Sequence, residues 1–279
     1  MILSTMAYEQ IYREISHDFR DVVDYYHRIL KPNVCKKAQK SKSYPYLTND
    51  FYRHPKSKNQ YGYLSIVKKH SLWEKPETVM FCEYEGQFGK EIITIAIWKD
   101  HITFRPTIII SVFQAHFFKR YYERFIKDDC VEVNKIKIFL ARNAYALPVG
   151  SEAVSANELL EDEPGYINTA MLNIDGLCIG KVSNENRNIV IYKTFVPFDM
   201  LFQKQFEKVL PQYVQMLAKQ AGEDYPQCQE NIDRLYNNAV DKFRRILLGD
   251  SPLSNKERIQ TYLQEYQKTC NELREYIIL

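Results

Sequence analysis

The chain has 279 residues, 45% of them hydrophobic, with a formal net charge of +3, which allows a substantial core and excludes a globally disordered chain. Only nine residues are glycine, and neither G-x-G-x-x-G nor G-x-x-x-x-G-K-[ST] occurs, so a glycine-rich nucleotide-binding loop is excluded. Six cysteines without a C-x-x-C pair exclude a zinc ribbon and a thioredoxin-like motif, and point to reduced thiols in a cytoplasm.

The opening residues, MILSTMAYEQIYREI, lack a basic region followed by a long apolar run, so no secretory signal is expected. Residues 8–30 predict an amphipathic helix, with Ile11, Ile15, Phe19, Val22, Val23, Tyr26 and Ile29 at three- and four-residue spacing and Pro32 ending it. Residues 31–75 carry ten Lys and one Arg against Asp50 and Glu74, a local charge of +9 in a chain of +3. Tyr44, Tyr46, Phe51, Tyr52, Tyr61, Tyr63 and Trp73 interleave with the lysines, and Pro45 and Pro55 predict irregular chain with short helical pieces.

Three β-rich runs follow: TVMFCEY, EIITIAIW and ITF-RP-TIIISVF. They predict an antiparallel meander, with Pro106 at a bulge or an edge. Helices are expected over 114–127 and 131–143, then an acidic surface loop, GSEAVSANELLEDEPG. A second meander reads YINTAMLNI, LCIGKV and NIVIYKTFV, with Asp175–Gly176 as its hairpin turn. Three helices close the chain over 198–221, 228–248 and 252–277, with Gly222 and Gly249 at C-caps. The apolar runs are strand-length, too short to span a membrane.

The expected fold is α+β: a central antiparallel sheet of about six strands, from two three-strand meanders, flanked by helices. Residues 1–75 form an N-terminal helix plus the basic aromatic segment, 76–197 the sheet core, and 198–279 a helical C-terminal subdomain.

The stretch SVFQAHFFKRYYERF has two sides at helical spacing. Phe117, Phe118, Tyr121, Tyr122 and Phe125 fall on one side, and His116, Lys119, Arg120, Glu123, Arg124 and Lys127 on the other. His116, Arg120 and Arg124 thus form a ridge at four-residue steps. A histidine in a first helical turn is disfavoured in its charged form and can take a proton from a ribose hydroxyl. Arginines one and two turns on can hold a phosphate bidentately. The same pattern is also what the wet side of any amphipathic helix shows.

A strand running into a helix with His-x-x-x-Arg-x-x-x-Arg, then a short helix, then a meander, resembles the RelE-like and barnase-like small, toxin-like ribonucleases over residues 105–200. The resemblance implies metal-independent RNA cleavage, with His116 and Arg120 as the central pair and Arg124 on phosphate. Lys193 or Thr194 would join them from the strand NIVIYKTFV. The extra meander, the basic N-terminal region and the helical tail depart from that group.

Other candidates stand beside it. Lys36, Lys37, Lys40, Arg53, Lys68 and Lys69 are nucleic-acid-binding candidates, lysines on phosphates with Tyr or Trp stacking on bases. His17, Asp21, Asp24 and His27 share the first helix without an H-E-x-x-H, so no metal and no cofactor is expected. His101 beside Asp100 reads as a turn histidine. The C-terminal helices present a possible surface for a protein partner or a second copy. The residues leave open an RNA-binding or RNA-cleaving protein, a non-catalytic interaction protein on the same scaffold, and an enzyme on a small molecule, for which no motif appears.

Overall fold

Ile11, Ile15 and Val22 are fully buried at helical spacing, which makes Tyr8–Tyr25 (α1) an amphipathic helix laid on a sheet. The Ala7 N–H donates to Gln10 Oε1 at 2.9 Å and closes the first turn. The computed structural model describes residues 2–3, 5–86, 89–99, 106–126, 135–143, 147–149, 163–173, 175–197 and 200–201.

Pro32 does not end the first helix. The chain widens into a π turn, Tyr26–Leu30, and continues as α2, Lys31–Gln39. Proline breaks a helix because it lacks an N–H and its ring strikes the carbonyl four residues back. Here the Lys31 N–H reaches Tyr26 O, five residues back, and the wider turn gives the ring room.

The basic segment is not irregular either. After α2 it forms a hairpin, β1 (Tyr46–Arg53) and β2 (Gln60–Val67), then a 3-10 turn, His70–Leu72. All ten of its lysines fall in α2, the turns and the flanks, and neither strand contains one. Composition averaged over 31–75 therefore conceals two alternating strands. Tyr61, Tyr63 and Val67 point to one face and are fully buried, while Leu64 is buried on the other.

Among the described residues nine strands make one sheet, in the order β1-β2-β3-β4-β5-β9-β8-β7-β6. The first five form an antiparallel meander completed by β3 (Glu77–Gly86), β4 (Gly89–Lys99) and β5 (Pro106–Phe113). Pro106 is the first residue of its strand, where a missing N–H is tolerated. The second meander runs through β6 (Leu147–Val149), β7 (Tyr166–Asn173), β8 (Gly176–Ser183) and β9 (Ile189–Pro197). The two meet in a parallel pairing of β5 with β9, from Ile110↔Ile189 to Phe113↔Tyr192. The sheet is thus mixed, not antiparallel, and larger than the six strands expected. The chain between β5 and β6 crosses the sheet through α3 (Ala115–Tyr121), a π turn (Tyr122–Ile126) and α4 (Lys135–Arg142). A crossover of that length can return β9 parallel to β5, which a tight turn cannot. The expected domain division after residue 75 falls between β2 and β3, which are paired neighbours.

Alternation sorts the two faces. Tyr63, Cys82, Ile93, Val112 and Ile191 pack with α1 and α2. Their neighbours Leu64, Phe81, Ile92, Phe113 and Tyr192 pack with α3 and α4. A bulge breaks the rule once: Ile179 pairs with Thr194 but Gly180 pairs with Tyr192, leaving Lys193 over. Tyr192 and Phe195, three apart, consequently both reach the aromatic cluster under α3. At the bulge a Cβ on Gly180 would lie 2.2 Å from Ile191 O, a backbone atom that cannot swing away. Gly180→Ala is expected to destabilise the fold by about 1–3 kcal/mol, read as a lower denaturant midpoint at unchanged slope. An unchanged midpoint would show that the strands can part at no cost.

The β7–β8 turn is one residue off its expected place. Asn173 pairs with Gly176, so Gly176 opens β8 and does not belong to the turn. Glycine is needed there for φ +154° and because a Cβ would sit 2.4 Å from Val196 O. Residues 150–162 of the acidic stretch, Asp100 and His101, and the C-terminal helices beyond residue 201 with their partner surface lie outside the described residues. Among the described residues no helix is long and apolar enough to cross a membrane. Cys35, Cys82 and Cys178 are free and buried.

Candidate functional site

Helix α3 is held by its rings. Phe117, Phe118 and Tyr121 are buried among Phe113, Phe139, Tyr192 and Phe195, with Phe117 and Phe139 edge to face at 5.1 Å. His116, Lys119 and Arg120 occupy the exposed side. Arg120 is 51% exposed and lies 3.5 Å from Glu123, a carboxylate that Lys119 also approaches at 3.8 Å. Arg124 leaves this ridge and turns inward. Its Nη1 donates to Phe195 O at 2.7 Å and to Thr194 Oγ1 at 3.4 Å. Burial first, and then the charge of Arg120, lowers its pKa.

Lys193 goes elsewhere. It donates to Glu163 Oε2 at 3.1 Å, an oxygen that also accepts from the buried Lys181 at 3.0 Å. Hydrogen bonds from Lys181 and then Lys193 hold the Glu163 carboxyl below its ordinary value. Arg124 and Thr194 are therefore brought together, while His116 and Arg120 stand on the open side of α3 beside an acid and Lys193 is engaged by Glu163. A proton-transfer centre needs its base and its phosphate-holding groups within hydrogen-bond reach of one reacting position.

The lysines fare differently. His70 Nε2 lies 3.3 Å from Gln39 O, and the Tyr44 hydroxyl donates to Ala38 O, so the end of α2 and the turn after β2 lie side by side. The rings of Tyr44 and His70 meet edge-on at 5.8 Å. Lys36, Lys37, Lys40 and Lys42 thereby share one end of the β1–β2 hairpin with Lys68, Lys69 and Lys75, all exposed. Two acids sit among these seven lysines, Glu74 and Glu77, with Lys68 to Glu77 at 2.8 Å. Tyr44, Tyr46 and Trp73 are half-buried there. Arg53 is at the other end: it pairs with Gln60 while Tyr46 pairs with Val67, and eight residues at ~3.3 Å each separate the two by ~25 Å.

Sequence reasoning missed the buried polar clusters. Asp18 stands on the buried stripe of α1 and is 1% exposed. Its Oδ2 accepts from Asn59 Nδ2 and Tyr61 OH, both at 2.8 Å, and from the Ser57 hydroxyl. His54 is buried beside it, Nδ1 3.2 Å from Asp18 Oδ1 and Nε2 3.1 Å from Asp21 Oδ2. Burial raises the Asp18 pKa, but the bonds from Ser57, Asn59 and Tyr61 together outweigh it and leave the carboxyl below its ordinary 3.8. Ser57 Oγ lies 2.9 Å from His54 Nδ1, so hydroxyl, imidazole and the Asp21 carboxylate stand in line. That hydroxyl is engaged by Asp18, however, and serine and histidine belong to one tight turn. Its backbone bonds, His54 N to Asn59 O at 2.8 Å and Lys58 N to His54 O at 3.0 Å, mark it as an anchor for the hairpin tip. One signal was legible: an acid interrupting the stripe Ile11, Ile15, Val22.

Glu91, 1% exposed, makes a second anchor, accepting from Tyr8 OH at 3.0 Å and from Tyr84 OH. Burial, and behind it the carboxylate, pushes the Tyr8 hydroxyl up to about 12. The four residues considered for a metal do not converge: His17 lies 3.5 Å from Asp18, Asp21 faces His54, Asp24 pairs with Arg28 at 3.6 Å, and His27 packs edge-on against Tyr26. Among the described residues no group of three or more His, Cys, Asp or Glu is placed to hold an ion.

The sheet also opens. Beyond Met80↔Ile95, β3 stays with β2 and β4 stays with β5. A cleft of about 500 Å³ occupies the split, between Val79 on one wall and Ala96 on the other. Tyr26, His27, Asn143 and Asn173 also line it.

No family model, curated protein or solved structure matches this chain.

Proposed function

We propose that this chain binds RNA through the lysine-bearing end of the β1–β2 hairpin. The observation that carries the reading is the seating of the α2 terminus against the His70–Leu72 turn, which gathers seven exposed lysines around two acids and three half-buried aromatic rings. Lysines at such a site neutralise phosphates and release counterions, and tyrosine or tryptophan faces stack on unpaired bases. Single-stranded RNA offers both groups at once.

A second reading, metal-independent cleavage on α3 and β9, draws on the Arg124 contact with Thr194. It requires His116 and Arg120 to meet substrate from the open side of α3, with RNA displacing Glu123 from Arg120.

One titration separates the two. Fluorescence anisotropy of a labelled single-stranded RNA is expected to show binding whose log K falls against log salt with a slope of about −3, as contact with four or five phosphates requires. No binding at low salt, or a flat slope, would sink the binding reading. The same mixtures run on a denaturing gel test cleavage, which must vanish in His116→Ala and Arg124→Ala to support the second reading.

A further inference from the structure

We infer that the outer edge of β1 is a docking site for an extended acidic peptide, received as a further strand of the sheet. The inference does not rest on the RNA reading. The two edges of the described sheet, β1 and β6, are built differently. β6 is three residues long and contains Pro148, and both features discourage a further strand. β1 is eight residues long, pairs with β2 without a bulge, and contains neither lysine nor proline. An edge of that length without those defences is a template for another backbone.

The hairpin tip fixes which groups the edge offers. His54 N donates to Asn59 O at 2.8 Å, one step beyond the last strand pair, Arg53↔Gln60. Antiparallel bonding alternates, so Tyr46, Thr48, Asp50 and Tyr52 bond to β2, while Leu47, Asn49, Phe51 and Arg53 turn N–H and C=O outward. Leu47 and Phe51 are each 47% exposed and share one face. Phe51 is set edge-on against Phe81 at 6.3 Å. Apolar side chains four residues apart on an added strand would therefore meet both. Lys40 and Lys42 precede β1, Arg53 ends it, and Lys56 and Lys58 follow, all exposed. Asp50 is the one acid over residues 40–58, so five bases and one acid give a local charge of +4. A second copy would set these bases against their own kind in either strand direction, whereas acids flanking the added strand would neutralise them. RNA answers the bases but has no row of amides to answer the edge.

The probe is a dye-labelled peptide, Glu-Glu-Val-Thr-Val-Thr-Val-Glu-Glu, titrated with the full chain by fluorescence anisotropy. It is expected to bind with a Kd of about 100 µM at low salt, and the same peptide with lysine for glutamate at least about tenfold more weakly. Methylating the valine nitrogens or the threonine nitrogens should abolish binding in one case and spare it in the other, because only one set faces β1. Asn49→Pro removes an outward N–H at a position where a sheet tolerates proline, and should weaken binding at least about tenfold. Lys42→Glu with Lys56→Glu leaves the strand itself unchanged and should reverse the preference to the lysine-ended peptide, which keeps the test decisive should the proline variant fail to fold. No binding of the glutamate-ended peptide, or a preference that does not reverse, would overturn the inference. Indifference to both methylations would do so too, since the bases would then attract any anion, RNA included. A chain that is dimeric alone and monomeric as Asn49→Pro would assign the edge to a second copy and overturn it likewise.

Discussion

Asp18→Ala is expected to lower the stability of the chain by about 3–5 kcal/mol, because it strands buried donors and a buried histidine. Asn59 Nδ2, Tyr61 OH and the Ser57 hydroxyl all converge on the oxygen that would be lost. Asp18→Asn keeps one acceptor and should cost about half as much, losing the charge-assisted part of those bonds. Denaturant unfolding at neutral pH measures both.

The pH dependence follows from the same cluster. The folded-state pKa of Asp18 is depressed, so below its ordinary 3.8 the unfolded chain takes up the proton before the folded chain does. Its stabilisation is complete above about pH 5 and is lost as the pH falls through the folded value. Neither variant should show that acid limb. An Asp18→Ala chain within about 1 kcal/mol of wild type would mean that the cluster is not what holds the hairpin tip to α1.

The second large effect is on binding. Replacing Lys36, Lys37, Lys68 and Lys69 together by alanine is expected to weaken RNA binding about 100-fold near 0.1 M salt and to make the salt slope shallower by two to three. These side chains are exposed, so the fold should be little affected. A matched comparison uses two charges from each end of the hairpin. Lys36→Ala with Lys37→Ala should weaken binding about tenfold, whereas Arg53→Ala with Lys56→Ala should change it less than about twofold. Equal losses from the two ends would point to diffuse attraction by net charge and remove the case for a defined surface. Should Asp18→Ala also lose RNA, addition of a stabilising osmolyte would tell unfolding of the hairpin from loss of contact.

Much of this fold could be read from local pattern. The stripe of α1, the strand runs from residue 77 to 113, the second meander and the ringed face of α3 are periodic enough to name before any coordinates. Pro32 misled because the rule it obeys concerns α-helical bonds, and the chain changes to π bonds just before it. The β1–β2 hairpin stayed hidden because its lysine-rich flanks dominated the composition around two strands that contain no lysine. The parallel pairing of β5 with β9 is non-local, and no local signal distinguishes it from a sheet edge.

The sequence by itself determined which residues are available: a basic, aromatic segment, a helix with His116, Arg120 and Arg124 in file, and a chain without nucleotide or metal motifs. Tertiary structure decided which of them meet. It carried Arg124 onto Thr194 and left His116 and Arg120 on the open side of α3, because the rings of Phe117 and Tyr121 set the rotation of that helix. It joined Lys36 and Lys37 to the end of the hairpin that bears Lys68 and Lys69, and sent Arg53 to the far one. It placed Asp18 against His54. Periodicity assigns a side chain to a face, but only the packing of whole elements assigns it a neighbour, and the surface proposed for RNA depends on neighbours.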